Sequence, residues 1–170
     1  MLFLLTGGTI DKLPVLLPNS ETFDNDSKVF GETHLPQMLK KARFLEKHTT
    51  VTLFMIDSLD MTDEHRKQVS TAIEDSDETQ VVVTHGTDTM PETAKYLNRI
   101  SQIAAKTIVL TGAMIPFCMG KSSDALFNLG SAVAFAQTLP SGVYVAMNGQ
   151  AFEANNVHKD LESGTFMKLK

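Results

Sequence analysis

The sequence predicts an α/β fold: an open, doubly wound, mainly parallel sheet with helices on both faces and a β-hairpin towards the C-terminus. Three observations lead there. Five short apolar runs, Leu2–Leu5, Val51–Ile56, Val81–Val83, Ile108–Leu110 and Val143–Met147, are nearly continuous rather than alternating, the pattern of strands buried on both faces. Segments with helical spacing lie between them, so strand and helix alternate as in βαβ units. After the fifth run, Asn148-Gly149 stands between Val143–Met147 and Gln150–Glu153, the signal of a type I′ hairpin.

Each connector carries its own helix signals. Leu35, Met38, Leu39 and Ala42 fall at i, i+3, i+4 and i+7, with Pro36 tolerated in the first turn. Thr62-Asp63-Glu64 reads as an N-cap followed by acids that suit the positive end of a helix, and Val69, Ala72 and Ile73 point inward. The next helix begins near Pro91 and Glu92, with Met90, Ala94 and Leu97 on one stripe. The fourth begins at Ser122-Ser123-Asp124 and is apolar through Phe135, which predicts a deeply buried helix. The architecture expected is flavodoxin- or Rossmann-like. Neither repeats nor low-complexity segments interrupt it.

Composition narrows the function classes. At 170 residues, 42% hydrophobic and 21% charged, the chain reads as one domain over residues 1–170, large enough to bury roughly 70% of its unfolded surface without a staple. A net charge of −5 disfavours nucleic acid as a partner, because phosphate binding needs clustered bases. The run Lys40-Lys41-Ala42-Arg43 reads as the solvated face of a helix. The single Cys118 excludes an internal disulfide and a Cys-rich zinc site and is expected to be a small buried hydrophobe. Met1-Leu2-Phe3-Leu4-Leu5 is too short for a membrane span and lacks the flanks of a signal peptide, so neither membrane contact nor export is expected, and the cytoplasm is the default compartment.

Polar residues concentrate where the strands end. The turns Thr6-Gly7-Gly8-Thr9, Asp57-Ser58, Thr84-His85-Gly86-Thr87-Asp88-Thr89 and Thr111-Gly112-Ala113-Met114 follow the first four runs. In a parallel sheet these carboxyl ends share one edge, where ligands bind. Singly, such residues make turns and caps. Converging on one edge, they make a site. Gly7-Gly8 is expected to leave main-chain N–H groups free for an anion or oxyanion. No phosphate-loop motif is present, and a threonine acting as nucleophile needs a neighbouring base. The irregular stretch Asp11 to Glu32 is long enough to be a mobile functional loop.

These residues resemble the N-terminal domain of the bacterial-type L-asparaginase/glutaminase family. Thr6-Gly7-Gly8-Thr9-Ile10 and His85-Gly86-Thr87-Asp88-Thr89-Met90 resemble its two active-site motifs, and Asp57-Ser58-Leu59-Asp60-Met61 its substrate-binding turn. Thr111-Gly112-Ala113-Met114, Ser123-Asp124-Ala125 with Phe127-Asn128, Met147-Asn148 and Val157-His158-Lys159 keep the family's order from residue 2 to about 166.

The resemblance implies hydrolysis of L-asparagine to L-aspartate and ammonia. Thr9 matches the nucleophile that forms an acyl-enzyme, while Thr87, Asp88 and Lys159 match a second group that polarises a hydroxyl and a water. The substrate site it implies comprises Gly8, Asp57, Ser58, Leu59, Gly86, Thr87, Asp88, Ala113 and Met114, with Ser58 on the α-carboxylate and Asp88 on the α-ammonium. Neither metal nor organic cofactor is implied. Leu59 stands where many members have Gln, so glutamine is expected to be the poorer substrate. Read without the resemblance, Lys159 is an exposed surface charge. His85 and His158 are expected to be structural.

Two departures shape the expectation. The family's loop carries a catalytic Tyr, whereas the tyrosines here are Tyr96 and Tyr144, which leaves Asp11, Lys12 and, less favourably placed, Asp24 as groups to move a proton at Thr9. Usual members also continue into a second domain, while this chain stops near the linker. The expectation is a short-chain, single-domain asparaginase whose site is closed in a homodimer or homotetramer. A non-catalytic domain that binds aspartate or asparagine, and a flavodoxin-like nucleotide or flavin domain, are the alternatives.

Overall fold

The computed structural model describes residues 1–15 and 27–169. Six strands form one sheet in the order β2-β1-β3-β4-β5-β6: β1 (Leu2–Gly7), β2 (Thr49–Ile56), β3 (Gln80–Thr84), β4 (Thr107–Thr111), β5 (Gly142–Met147) and β6 (Gln150–Glu153). The first five run parallel and β6 pairs antiparallel with β5. From β1 the chain winds to β2 on one side and later to β3 on the other, so the strand order reverses at β1, where α/β sheets open a crevice.

The helices α1 (Leu35–Lys41), α2 (Asp63–Glu74), α3 (Met90–Leu97) and α4 (Ala125–Thr138) divide between the two faces. Leu2, Leu4, Val81, Val83, Ile108 and Leu110 pack with Val69, Ile73, Met90, Ala94 and Leu97 of α2 and α3. Their strand neighbours Phe3, Leu5, Val82 and Val109 point the other way, onto Leu35, Met38 and Leu39 of α1 and Leu129, Ala132 and Ala136 of α4. Alternate residues of unbroken apolar strands thus fill two cores. Thr62 caps α2 in a capping box with His65. Asn148 and Gly149 take φ of 54° and 74°, the left-handed pair of a type I′ turn, and join β5 to β6 with Met147 opposite Gln150.

Four expectations need correction. The edge strand β2 is not buried on both faces: Val51 is 37% exposed, and the threonines Thr49, Thr50 and Thr52 beside it are the polar signal of an edge. Helix α4 is buried on one side only, leaving Leu126 and Phe127 in solvent. Ala42 is exposed because α1 ends at Lys41. Cys118 is exposed rather than buried, since it lies in the 3-10 segment Phe117–Ser122, where Phe117 alone is buried. The basic run does lie in solvent, with Lys41 over the Phe117 ring. A second small sheet, the hairpin of β7 (His158–Asp160) and β8 (Thr165–Met167), follows the main one. Among the described residues no helix is long and apolar enough to cross a membrane.

Candidate active site

The turns at the carboxyl edge interlock through glycine. Gly8, at φ 83°, lies so close to the turn after β3 that a Cβ there would stand 2.3 Å from the Gly86 nitrogen. A Cβ on Gly86 would in turn stand 2.6 Å from Cβ of Ser58. The Thr89 hydroxyl donates to the Ser58 carbonyl at 2.7 Å. Three turns therefore meet around Gly86, bringing Thr9, Ser58 and Thr87 to one place. The expectation of free glycine N–H groups fails at Gly8, whose N–H donates to the Ile56 carbonyl at 2.9 Å. The backbones of Ile56 and Gly86, rather than a ligand, are what require glycine at this turn.

The Thr87 side is assembled. Lys159 reaches it from β7, donating from Nζ to Thr87 Oγ1 at 2.8 Å and also to Asp88 Oδ1. Its side chain is only 8% exposed, so the two short strands of the second hairpin turn a nominally surface lysine inward. Behind this group His85 is fully buried, and burial pushes its pKa down to about 4. Its neutral ring bonds the Gly86 carbonyl through Nδ1 at 2.7 Å and Thr93 Oγ1 through Nε2 at 2.8 Å. A carbonyl only accepts, so Nδ1 carries the hydrogen and Nε2 accepts from the Thr93 hydroxyl. Thr93 Oγ1 accepts from Arg66 Nε at 3.1 Å. This chain of bonds, running from α2 to the Gly86 peptide, fits the structural part expected of His85.

The Thr9 side is held differently. Thr9 opens the 3-10 turn Thr9–Asp11 and is half-buried. Asp11 accepts from the His34 N–H at 2.7 Å and from the Thr33 hydroxyl at 3.1 Å. Burial raises its pKa above the ordinary value, against the pull of those two bonds. Lys12 Nζ pairs with Asp57 Oδ2 at 2.7 Å, and Asp57 Oδ1 accepts from Leu59 N–H at 3.0 Å. Burial pushes the Asp57 carboxyl up, but the Lys12 and Leu59 bonds and the charges of Lys12 and Lys28 outweigh it, leaving the pKa below the usual value. Both nearby proton-transfer candidates are thus occupied. Asp24 and most of the expected mobile loop lie outside the described residues.

The remaining implied residues take separate places. Ser58 is buried, whereas Leu59 is 67% exposed beside it. Ala113 is buried and Met114 faces out. Asp124, at the start of α4, holds that turn by accepting from the N–H groups of Met114 and Ile115, each at 3.0 Å. Asn128, fully buried, donates to Asp124 Oδ2 and the Gly112 carbonyl and accepts from the Asn148 N–H. The sequence alone gives Asn128 and the Lys12–Asp57 pair no such positions. An amide within an apolar helix was the available signal for the first; nothing local marks the second.

The family model for the asparaginase N-terminal domain matches residues 1–166. The chain belongs to the asparaginase family. This asparaginase-family chain is 35% identical over 167 residues to the glutaminase-asparaginase of Acinetobacter glutaminasificans, covering 94% of itself and 49% of that protein. It is 32% identical over 164 residues to a probable periplasmic L-asparaginase of Haemophilus influenzae, covering 92% and 45%. Among solved structures, the thermostable L-asparaginase from Thermococcus kodakarensis superposes with a TM-score of 0.79 at 26% identity, over 99% of this chain and 50% of that one. A probable cytoplasmic L-asparaginase from Campylobacter jejuni gives 0.78 at 31%, over 97% and 51%. The chain spans about half the length of these relatives, two of which are named for different compartments, the periplasm and the cytoplasm.

Proposed function

We propose that this chain hydrolyses L-asparagine to L-aspartate and ammonia through an acyl-enzyme on Thr9. The contact of Lys159 with both Thr87 and Asp88 carries the reading. In it, Thr9 Oγ attacks the side-chain amide carbon, the C–N bond breaks, and the hydroxyl proton leaves with the nitrogen as ammonia. Water then cleaves the β-aspartyl ester and returns a proton to Thr9.

Thr87 serves these steps from the other side. Its oxygen accepts from Lys159, so its own O–H is available to the reacting group or to a water. Asp88 gives Oδ1 to Lys159 and, with its side chain 38% exposed, retains accepting capacity for the substrate's α-ammonium. Ser58 receives the α-carboxylate, and the turns of Gly8, of Gly86 and of Ala113 and Met114 surround the amide. Exposed Leu59 makes glutamine the poorer substrate.

Association of copies as a dimer or a dimer of dimers completes the site. The exposed apolar side chains Leu59, Met114, Ile115 and Leu161 support this. The single cysteine suits a cytoplasmic, reducing setting.

Ammonia release from asparagine by the purified protein, and its loss in each of Thr9→Ala, Thr87→Ala and Lys159→Met, tests the reading. Turnover unchanged in all three overturns it. A rise in melting temperature with aspartate but no ammonia from the parent protein marks a binding domain instead.

A further inference from the structure

We propose that Lys12 is a positioning residue for the substrate's α-carboxylate: its ammonium cancels the Asp57 carboxylate in the turn that carries Ser58, and so keeps that turn receptive to an anion. This rests on the reading above that Ser58 receives the carboxylate.

Lys12 leaves the turn of Thr9 and crosses to the end of β2, where Nζ meets Asp57 Oδ2 at 2.7 Å. Both side chains are 11% exposed, so water screens neither charge well. The other carboxylate oxygen is needed locally: Oδ1 caps the 3-10 turn Ser58–Asp60 by accepting from Leu59 N–H. Asp57 thus shapes the substrate turn at the cost of a negative charge one residue from Ser58. An arriving carboxylate would be repelled by that charge in a poorly screened place. Lys12 removes the repulsion, and the same bond ties the turn of Thr9 to the turn of Ser58.

No other cation described here can replace it. The charged groups facing Asp57 are Lys12, from the segment after β1, and Lys28, from the segment entering at Ser27. Lys28 is bound to both oxygens of Asp60 at 2.9 and 2.7 Å in a half-exposed pair.

Calorimetric binding of L-aspartate to the full chain, with melting temperatures of every variant, provides the test. Lys12→Met is expected to weaken aspartate binding about 30-fold near pH 8. The deficit should shrink as pH falls and Asp57, no longer held down by Lys12, takes up a proton. Lys12→Met/Asp57→Asn is expected to bind aspartate about 10-fold more tightly than Lys12→Met near pH 8 and to lose the pH dependence of the deficit, and Lys12→Arg to retain most of the affinity. An aspartate analogue with an α-carboxamide should not distinguish Lys12→Met from the parent.

Unchanged aspartate affinity in Lys12→Met overturns the inference alone. So does a folded double variant as weak as Lys12→Met at all pH values, because the pair would then be holding the fold rather than accommodating an anion. A parent protein that binds neither aspartate nor asparagine overturns the reading of the site and the inference with it.

Discussion

The two threonines of the candidate site are held in opposite ways. Thr87 is buried and bonded directly to a cation, which also holds the neighbouring carboxylate. Thr9 is half-buried, and its charged neighbours Asp11 and Lys12 turn away to Thr33, His34 and Asp57. One side carries its acid–base groups in contact. The other carries accurate backbone placement, fixed by Gly8 against Gly86 and by the Lys12–Asp57 pair. Under the proposed mechanism this contrast becomes a division of labour, in which the Thr87 side would supply polarisation and the Thr9 side the attacking atom.

The largest effect that would sharpen this contrast is on turnover. Thr9→Ala and Lys159→Met should each lower kcat for asparagine by about a thousandfold or more, in line with loss of a nucleophile or an acid–base group. Lys159→Met should leave the chain folded by circular dichroism, since the Asp88 side chain is 38% exposed and water can take the place of its lost partner. A small loss in Lys159→Met beside a large one in Thr9→Ala would dissolve the division.

Gly8→Ala tests the backbone placement. Its Cβ would stand 2.3 Å from the Gly86 nitrogen at a φ of 83°, so both turns must move. A loss of about 3 kcal/mol in urea unfolding is expected, whereas the same change in open space would cost far less. His85 supplies the counterpart on the Thr87 side. Its folded pKa of about 4 lies below the ordinary 6.5, so between those values the unfolded chain binds a proton that the folded chain does not. Stability should therefore fall as pH drops from 6.5 towards 4, by about 3 kcal/mol from this residue when the fall is complete. His85→Gln should flatten that part of the stability profile measured by urea unfolding at several pH values. The smallest effect concerns selectivity: Leu59→Gln should raise kcat/KM for glutamine relative to asparagine by about tenfold.

Much of this molecule was legible in its sequence for local reasons. Unbroken runs such as Val81–Val83 mark strands inside a parallel sheet, Thr62 marks a helix start, and Asn148-Gly149 marks a hairpin because only a few residues adopt its backbone angles. The turns after β1, β2 and β3 could be placed on one edge from topology alone, and the family resemblance attached roles to Thr9, Thr87 and Lys159. What escaped the sequence depends on distant partners. Lys159 is buried only because the hairpin of β7 and β8 folds it against Thr87. Lys12 finds Asp57 across a large gap in the chain. The Gly8 N–H, expected to be free, is used by Ile56, and α4 carries apolar residues on a face that its sheet does not cover.

Locating the covalent intermediate is the most direct test of the central claim. The purified protein, mixed with L-asparagine, quenched in acid within milliseconds and digested, should yield an aspartyl ester on the peptide containing Thr9 by mass spectrometry. That adduct should vanish in Thr9→Ala. An ester on Thr87, or ammonia release from a Thr9→Ala variant at the parent rate, would contradict the account.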